Sequence, residues 1–139
     1  MKSYIIAYAG IVGSFIASLF GGWSSGLTTL LIFMAIDLIT GIIVAGVFRQ
    51  SDKTNSGALS SKAGFRGLCK KCVILLFVLI GARLDIMLGV TYIRDGVCIA
   101  FILNEVLSVI ENAGLMGIPV PSVVKKALEL LEAKDGENK

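Results

Sequence analysis

The sequence predicts an all-α integral membrane protein of three to four transmembrane helices plus a short C-terminal amphipathic helix, in a single membrane domain over residues 1-139. Three observations lead there. Hydrophobic residues make up 55% and charged residues 17% of the chain, whereas soluble domains carry about a quarter charged residues. The mean hydropathy is +0.86. From Ser3 to Ile36 no residue is charged, a run longer than the roughly 20 apolar residues that cross a hydrocarbon core about 30 Å thick. An ordinary cytosolic protein is excluded.

Residues 4-20 form a first apolar segment that ends at Gly21-Gly22-Trp23-Ser24-Ser25-Gly26, turn formers that fit a reversal between two helices. Residues 27-48 are a second span whose one charge is Asp37. Residues 49-71 hold Arg49, Lys53, Lys62, Arg66, Lys70 and Lys71 against Asp52 alone and read as a basic loop. Residues 72-90 are a third candidate span, interrupted late by Arg83 and Asp85, and residues 96-118 a fourth, carrying Asn104, Glu105, Ser108, Glu111 and Asn112. Pro119 and Pro121 then break the helix, and Ser122 offers an N-cap for an amphipathic tail over 122-139 that frays at its polar end.

Short loops rich in Lys and Arg stay cytoplasmic, so loop 49-71 is expected inside the cell. With four spans the N-terminus and the C-terminal tail are inside as well; with three, the first segment sits outside or on the surface. The expected location is a cellular membrane, crossed several times, with a cytoplasmic C-terminus.

Histidine is absent, which removes Ser-His-Asp and Cys-His nucleophiles, His-ligated zinc and imidazole relays together. Neither enzymatic activity nor a cofactor or metal is expected. Cys69, Cys72 and Cys98 are an odd number, and two sit beside the basic segment, which argues against a disulfide framework. Basic charge beside a span is explained by orientation and anionic lipid, so no nucleic-acid partner is expected.

Two groups of residues invite a functional reading. Ala7, Gly10, Ser14, Ala17 and Gly21 recur with spacing 3, 4, 3, 4, a stripe that lets helix backbones approach closely in lipid; Gly41 and Ala45 form a shorter version. The stripe is either a self-association face or a set of small residues tolerated in a span. The second group is polar. An acidic side chain near the middle of a span costs on the order of 3 kcal/mol, so Asp37 should face a cavity or a neighbouring helix, with Arg83 as its expected partner. Arg83 and Asp85, about 200° apart on a helix, do not pair with each other. In the fourth segment Asn104, Glu105, Ser108, Glu111 and Asn112 share one side, opposite Ile99, Ile102, Leu103, Val106, Val109 and Ile110. That polar side must pack against other polar helices, line water after oligomerisation, or lie in the interface plane.

Residues 36 to 132 resemble the phage-lysis and toxin-secretion holins of Gram-positive bacteria. The resemblance rests on Asp37-Leu38-Ile39-Thr40-Gly41 with Ala45, on Ser61 to Leu68 leading to Lys70-Lys71, on Asp85, on Asn104 to Ala113, and on Gly117-Ile118-Pro119-Val120-Pro121. It implies a homo-oligomer in the lipid bilayer that forms lesions releasing an endolysin or an exported toxin, under control of an antiholin. Two other readings stay open at this point: an antiholin that regulates a holin, and a small proton-coupled transporter using Asp37 or Glu105.

Overall fold

The structure is a computed structural model that describes residues 1–137. It contains α1 (Lys2–Leu19), α2 (Ser25–Ile43) prolonged by a π-helical segment (Val44–Phe48), α3 (Ser61–Leu88), α4 (Ile93–Leu115) and α5 (Ser122–Glu137), with no strand among the described residues. Local chemistry sets the ends. The Ser24 and Ser60 hydroxyls accept from the N–H groups of Leu27 at 3.1 Å and Ala63 at 3.4 Å, starting α2 and α3. Gly89, at φ 67°, closes α3 in the left-handed conformation. In the loop after α2, Gly57 is required twice over: its φ is 71°, and a Cβ there would collide with the Arg49 carbonyl.

Helices α2, α3 and α4 form the bundle, with α4 against both others. Leu27, Leu30 and Met34 follow the helical repeat of α2 and bury against Val78 of α3 and Cys98 and Ile102 of α4. The outer surface is apolar: Ile32 and Ile39 of α2 and Leu76, Ile80 and Ile86 of α3 are all more than half exposed. The distribution is the reverse of a water-soluble bundle. Two helices, α1 and Ser25–Phe48, are long and apolar enough to cross a membrane. α4, with 23 residues, is about 34 Å long at 1.5 Å per residue but carries more charge.

α1 buries no residue and is fastened at its end. The Arg94 guanidinium donates to the carbonyls of Phe20 at 2.6 Å and Gly22 at 3.0 Å. At the same level α3 and α4 pack closely, where a Cβ on Gly81 would lie 3.1 Å from Arg94 Cα.

Three expectations need correction. The basic segment 49-71 is a loop only as far as Ser60; Lys62, Arg66, Lys70 and Lys71 belong to α3, which the Ser60 cap starts. The C-terminal segment is helical to Glu137 and folds back on α4, with Leu128 and Leu131 half-buried. The last two residues of the expected tail 122-139 lie outside the described residues. α4 starts at Ile93 rather than residue 96, since Asp85 caps it: its carboxylate accepts from the N–H groups of Ile93 at 2.9 Å and Arg94 at 3.0 Å.

Candidate functional site

Asp37 continues the buried side of α2 one turn past Met34. On α4, Cys98, Ile102, Ser108 and Asn112 lie within about 60° of Glu105 around the helix, so the apolar core and the polar residues share one inward side. Lys71 reaches in from α3. Asp37, Glu105 and Asn112 are only 7%, 3% and 5% exposed.

One ammonium group joins two carboxylates. Lys71 Nζ lies 2.7 Å from Asp37 Oδ2 and 2.7 Å from Glu105 Oε2. The second oxygen of Asp37 accepts from the Ser108 hydroxyl at 2.6 Å and from the Asn112 amide at 3.2 Å. Asn112 also donates to Thr40 Oγ1 at 2.9 Å, and the Thr40 hydroxyl donates to the Asp37 carbonyl at 3.1 Å. Every described buried side-chain nitrogen or oxygen has a hydrogen-bond partner. Charge-assisted bonds of this length are about twice as strong as neutral ones, and leaving any member unpaired in an apolar interior is costly. The cluster therefore ties three helices together while hiding their polarity.

A cavity of about 830 Å³ opens next to the cluster, with Asp37, Glu105 and Ser108 at one end and Lys53, Lys62 and Arg66 at the other. The bundle thus has a basic end, where the cavity opens, and an opposite end where Arg94 holds the α1–α2 turn.

Of the residues expected to form a polar face, the structure brings together Asp37, Glu105, Ser108 and Asn112. Asn104 and Glu111 border the cavity but are exposed. Ile102, placed opposite the polar face by helical angle, is buried on the same side as Glu105. The expected Asp37–Arg83 pair does not form. Arg83 is exposed and stands 12 residues beyond Lys71 on α3, about 18 Å along the axis and 120° around it. Asp85 serves as the α4 cap. Lys71, Thr40 and Arg94 were not anticipated as partners; the available signal was a lysine immediately before an apolar run, in a chain with two membrane-level carboxylates that need a cation.

The small residues divide similarly. Ala7, Gly10 and Ser14 are exposed on α1 and Ala17 is half-buried, and nothing lies within 4 Å of a Cβ built on Gly10. Gly41 and Ala45 do pack within the chain: a Cβ on Gly41 would meet Asn112 Nδ2 at 3.9 Å, and Ala45 is buried. Gly21 sits beside the Arg94 guanidinium.

A helical bundle with an ionic cluster inside, apolar side chains outside and two helices fit to cross a membrane defines a small membrane protein. Comparison with known proteins is specific on the family. The model of the bacteriophage holin family matches residues 14–133, and the chain belongs to that family. It is 27% identical over 112 residues to a probable holin of Bacillus phage phi105, covering 80% of this chain and 77% of that protein. An uncharacterised protein of Listeria monocytogenes is 35% identical over 139 residues, with 99% and 91% covered. An uncharacterised 14.9 kDa protein from the nagH 3′ region of Clostridium perfringens is 36% identical over 125 residues, with 88% and 89% covered. No solved structure matches the chain.

Proposed function

We propose that the chain is a holin. It accumulates in the cytoplasmic membrane as a closed bundle, crossing it three to four times with the basic end and the C-terminus in the cytoplasm. It then oligomerises into lesions that release an endolysin or a toxin. One observation carries this reading: the polar groups of three membrane-length helices are paired with each other by Lys71–Asp37 and Lys71–Glu105 contacts inside an apolar shell. Polar groups in lipid must be satisfied within the protein, which keeps the single chain harmless. Separating the helices would free the same groups to line water between several copies. The small-residue side of α1, exposed at Ala7, Gly10 and Ser14, supports association between copies.

The test is inducible expression in a bacterium with and without a muralytic enzyme, following optical density and membrane potential. A holin collapses the potential at a set time in both cultures and clears only the one with the enzyme. Loss of neither property when the chain is expressed alone would overturn the proposal and favour an antiholin or a transporter.

A further inference from the structure

The cationic side of α3 continues downward into an apolar groove. Lys62, Arg66 and Lys70 are spaced four residues apart, which places them along one side of the helix, and all three border the polar cavity. Lys53 and Asp52 from the loop and Glu111 from α4 border the same cavity, so most of its cationic edge, apart from Lys53, lies on α3. Below it a second cavity, of about 430 Å³, is lined by Cys69, Lys70, Val73, Ile74, Phe77 and Phe101. Lys70 and Ile74 belong to both. Phe77 and Phe101, with ring centroids 6.0 Å apart, form the groove's lower part. From Lys70 to Phe77 the helix rises about 10 Å, the length of roughly eight methylene groups at about 1.25 Å each along an extended chain. Lys70 stands where the apolar run of α3 begins, the level at which phosphate groups sit when the run is in lipid.

We propose that this composite surface binds an anionic phospholipid, with the phosphate held by Lys70 and Arg66 and one acyl chain lying in the groove against Phe77 and Phe101. A free phosphate would satisfy the cations and leave the groove unused, and a zwitterionic lipid would fill the groove and bring no net charge. An anionic phospholipid matches both halves. Basic pockets at the ends of membrane helices attract such headgroups, and the Arg guanidinium can grip two phosphate oxygens at once. The site requires the chain to be embedded in lipid, as the proposed function has it; it requires neither pore formation nor a particular orientation.

The experiment uses the full chain carrying Trp23→Phe and Phe77→Trp, reconstituted in phosphatidylcholine vesicles in which either the phosphatidylcholine or an added phosphatidylglycerol is brominated. Bromine quenches an indole only in contact. The expected result is a relative binding constant for phosphatidylglycerol over phosphatidylcholine of about fivefold, the effect of one well-placed cation. It should fall in Lys70→Gln and in Arg66→Gln, reach about one when the two are combined, and persist in Lys70→Arg. Because the two lipids are compared on one protein, the first result stands without the charge variants, and Phe101→Trp provides a second reporter. Equal quenching by both lipids would overturn the site and leave the membrane reading intact. Absence of quenching by either would overturn both. Loss of the preference on adding soluble glycerol phosphate would reassign the cations to a free phosphate and overturn the lipid proposal.

Discussion

Replacing Lys71 with Met keeps the length and apolar stem of the side chain and removes the ammonium that joins α2 to α4. Asp37 and Glu105, each 2.7 Å from Nζ, are then left without a cation in a largely buried position. Removing one partner of a buried ion pair costs about 3–5 kcal/mol. Here the cavity of about 830 Å³ reaches both carboxylates and lets water solvate them, while Ser108 and Asn112 still donate to Asp37. These features place the loss at the lower end, about 3 kcal/mol, or roughly a hundredfold in the population of the closed bundle. Purified protein in mild detergent, titrated with sodium dodecyl sulfate and followed by circular dichroism, should unfold at a lower surfactant fraction. Lysis onset in cells should come earlier at equal membrane abundance. Adding Asp37→Asn and Glu105→Gln to Lys71→Met should recover most of the stability, since no charge is then left buried. The control is Lys126→Met, an exposed lysine of α5 expected to stay within about 0.5 kcal/mol of the parent. If Lys71→Met unfolds like that control, the cluster does not hold the helices together.

Reporter fusions after Ser56 and at the C-terminus should both behave as cytoplasmic, as the basic end requires; an external signal at either site would invert or break the topology. Asp85→Ala removes two backbone partners of α4, at Ile93 and Arg94, and should cost about 1 kcal/mol, within the range for helix caps, seen in the same surfactant titration; an unchanged midpoint would show that the cap is replaced by water. Gly10→Leu meets nothing within the chain, so monomer stability should hold while crosslinked oligomer ladders weaken and lysis is delayed. The contacts at stake are on the order of 1–2 kcal/mol, roughly tenfold in threshold concentration. Unchanged ladders and timing would make α1 a passive anchor.

The helical character of the chain was legible in its composition, and Asp37, Glu105, Ser108 and Asn112 were legible as a group because polar side chains in an apolar run have to find each other. Lys71 was not, since it stands at the end of a basic stretch where a charge already has an explanation in orientation. Its role depends on α3 starting at Ser61, eleven residues before the expected span, which makes Lys71 a helical residue with a fixed direction. Asn104 and Glu111 were grouped with the buried residues because helical angles give relative directions only. The inward direction of α4 is set by Cys98 and Ile102 packing on α2 and α3, and that is a tertiary fact. Arg94 was hidden for a similar reason: its partners are backbone carbonyls more than 70 positions away, and no side-chain pattern announces a carbonyl.

Having a single lysine serve two acids also shapes how the protein can vary. Both acids depend on Lys71, so most single substitutions at the lysine weaken closure, and hardly any strengthens it. If closure sets the delay before lysis, random mutation supplies many alleles that shorten the delay and few that lengthen it. A lineage selected for longer delay would have to find its changes elsewhere, in the helix faces where copies meet or in the amount of protein made.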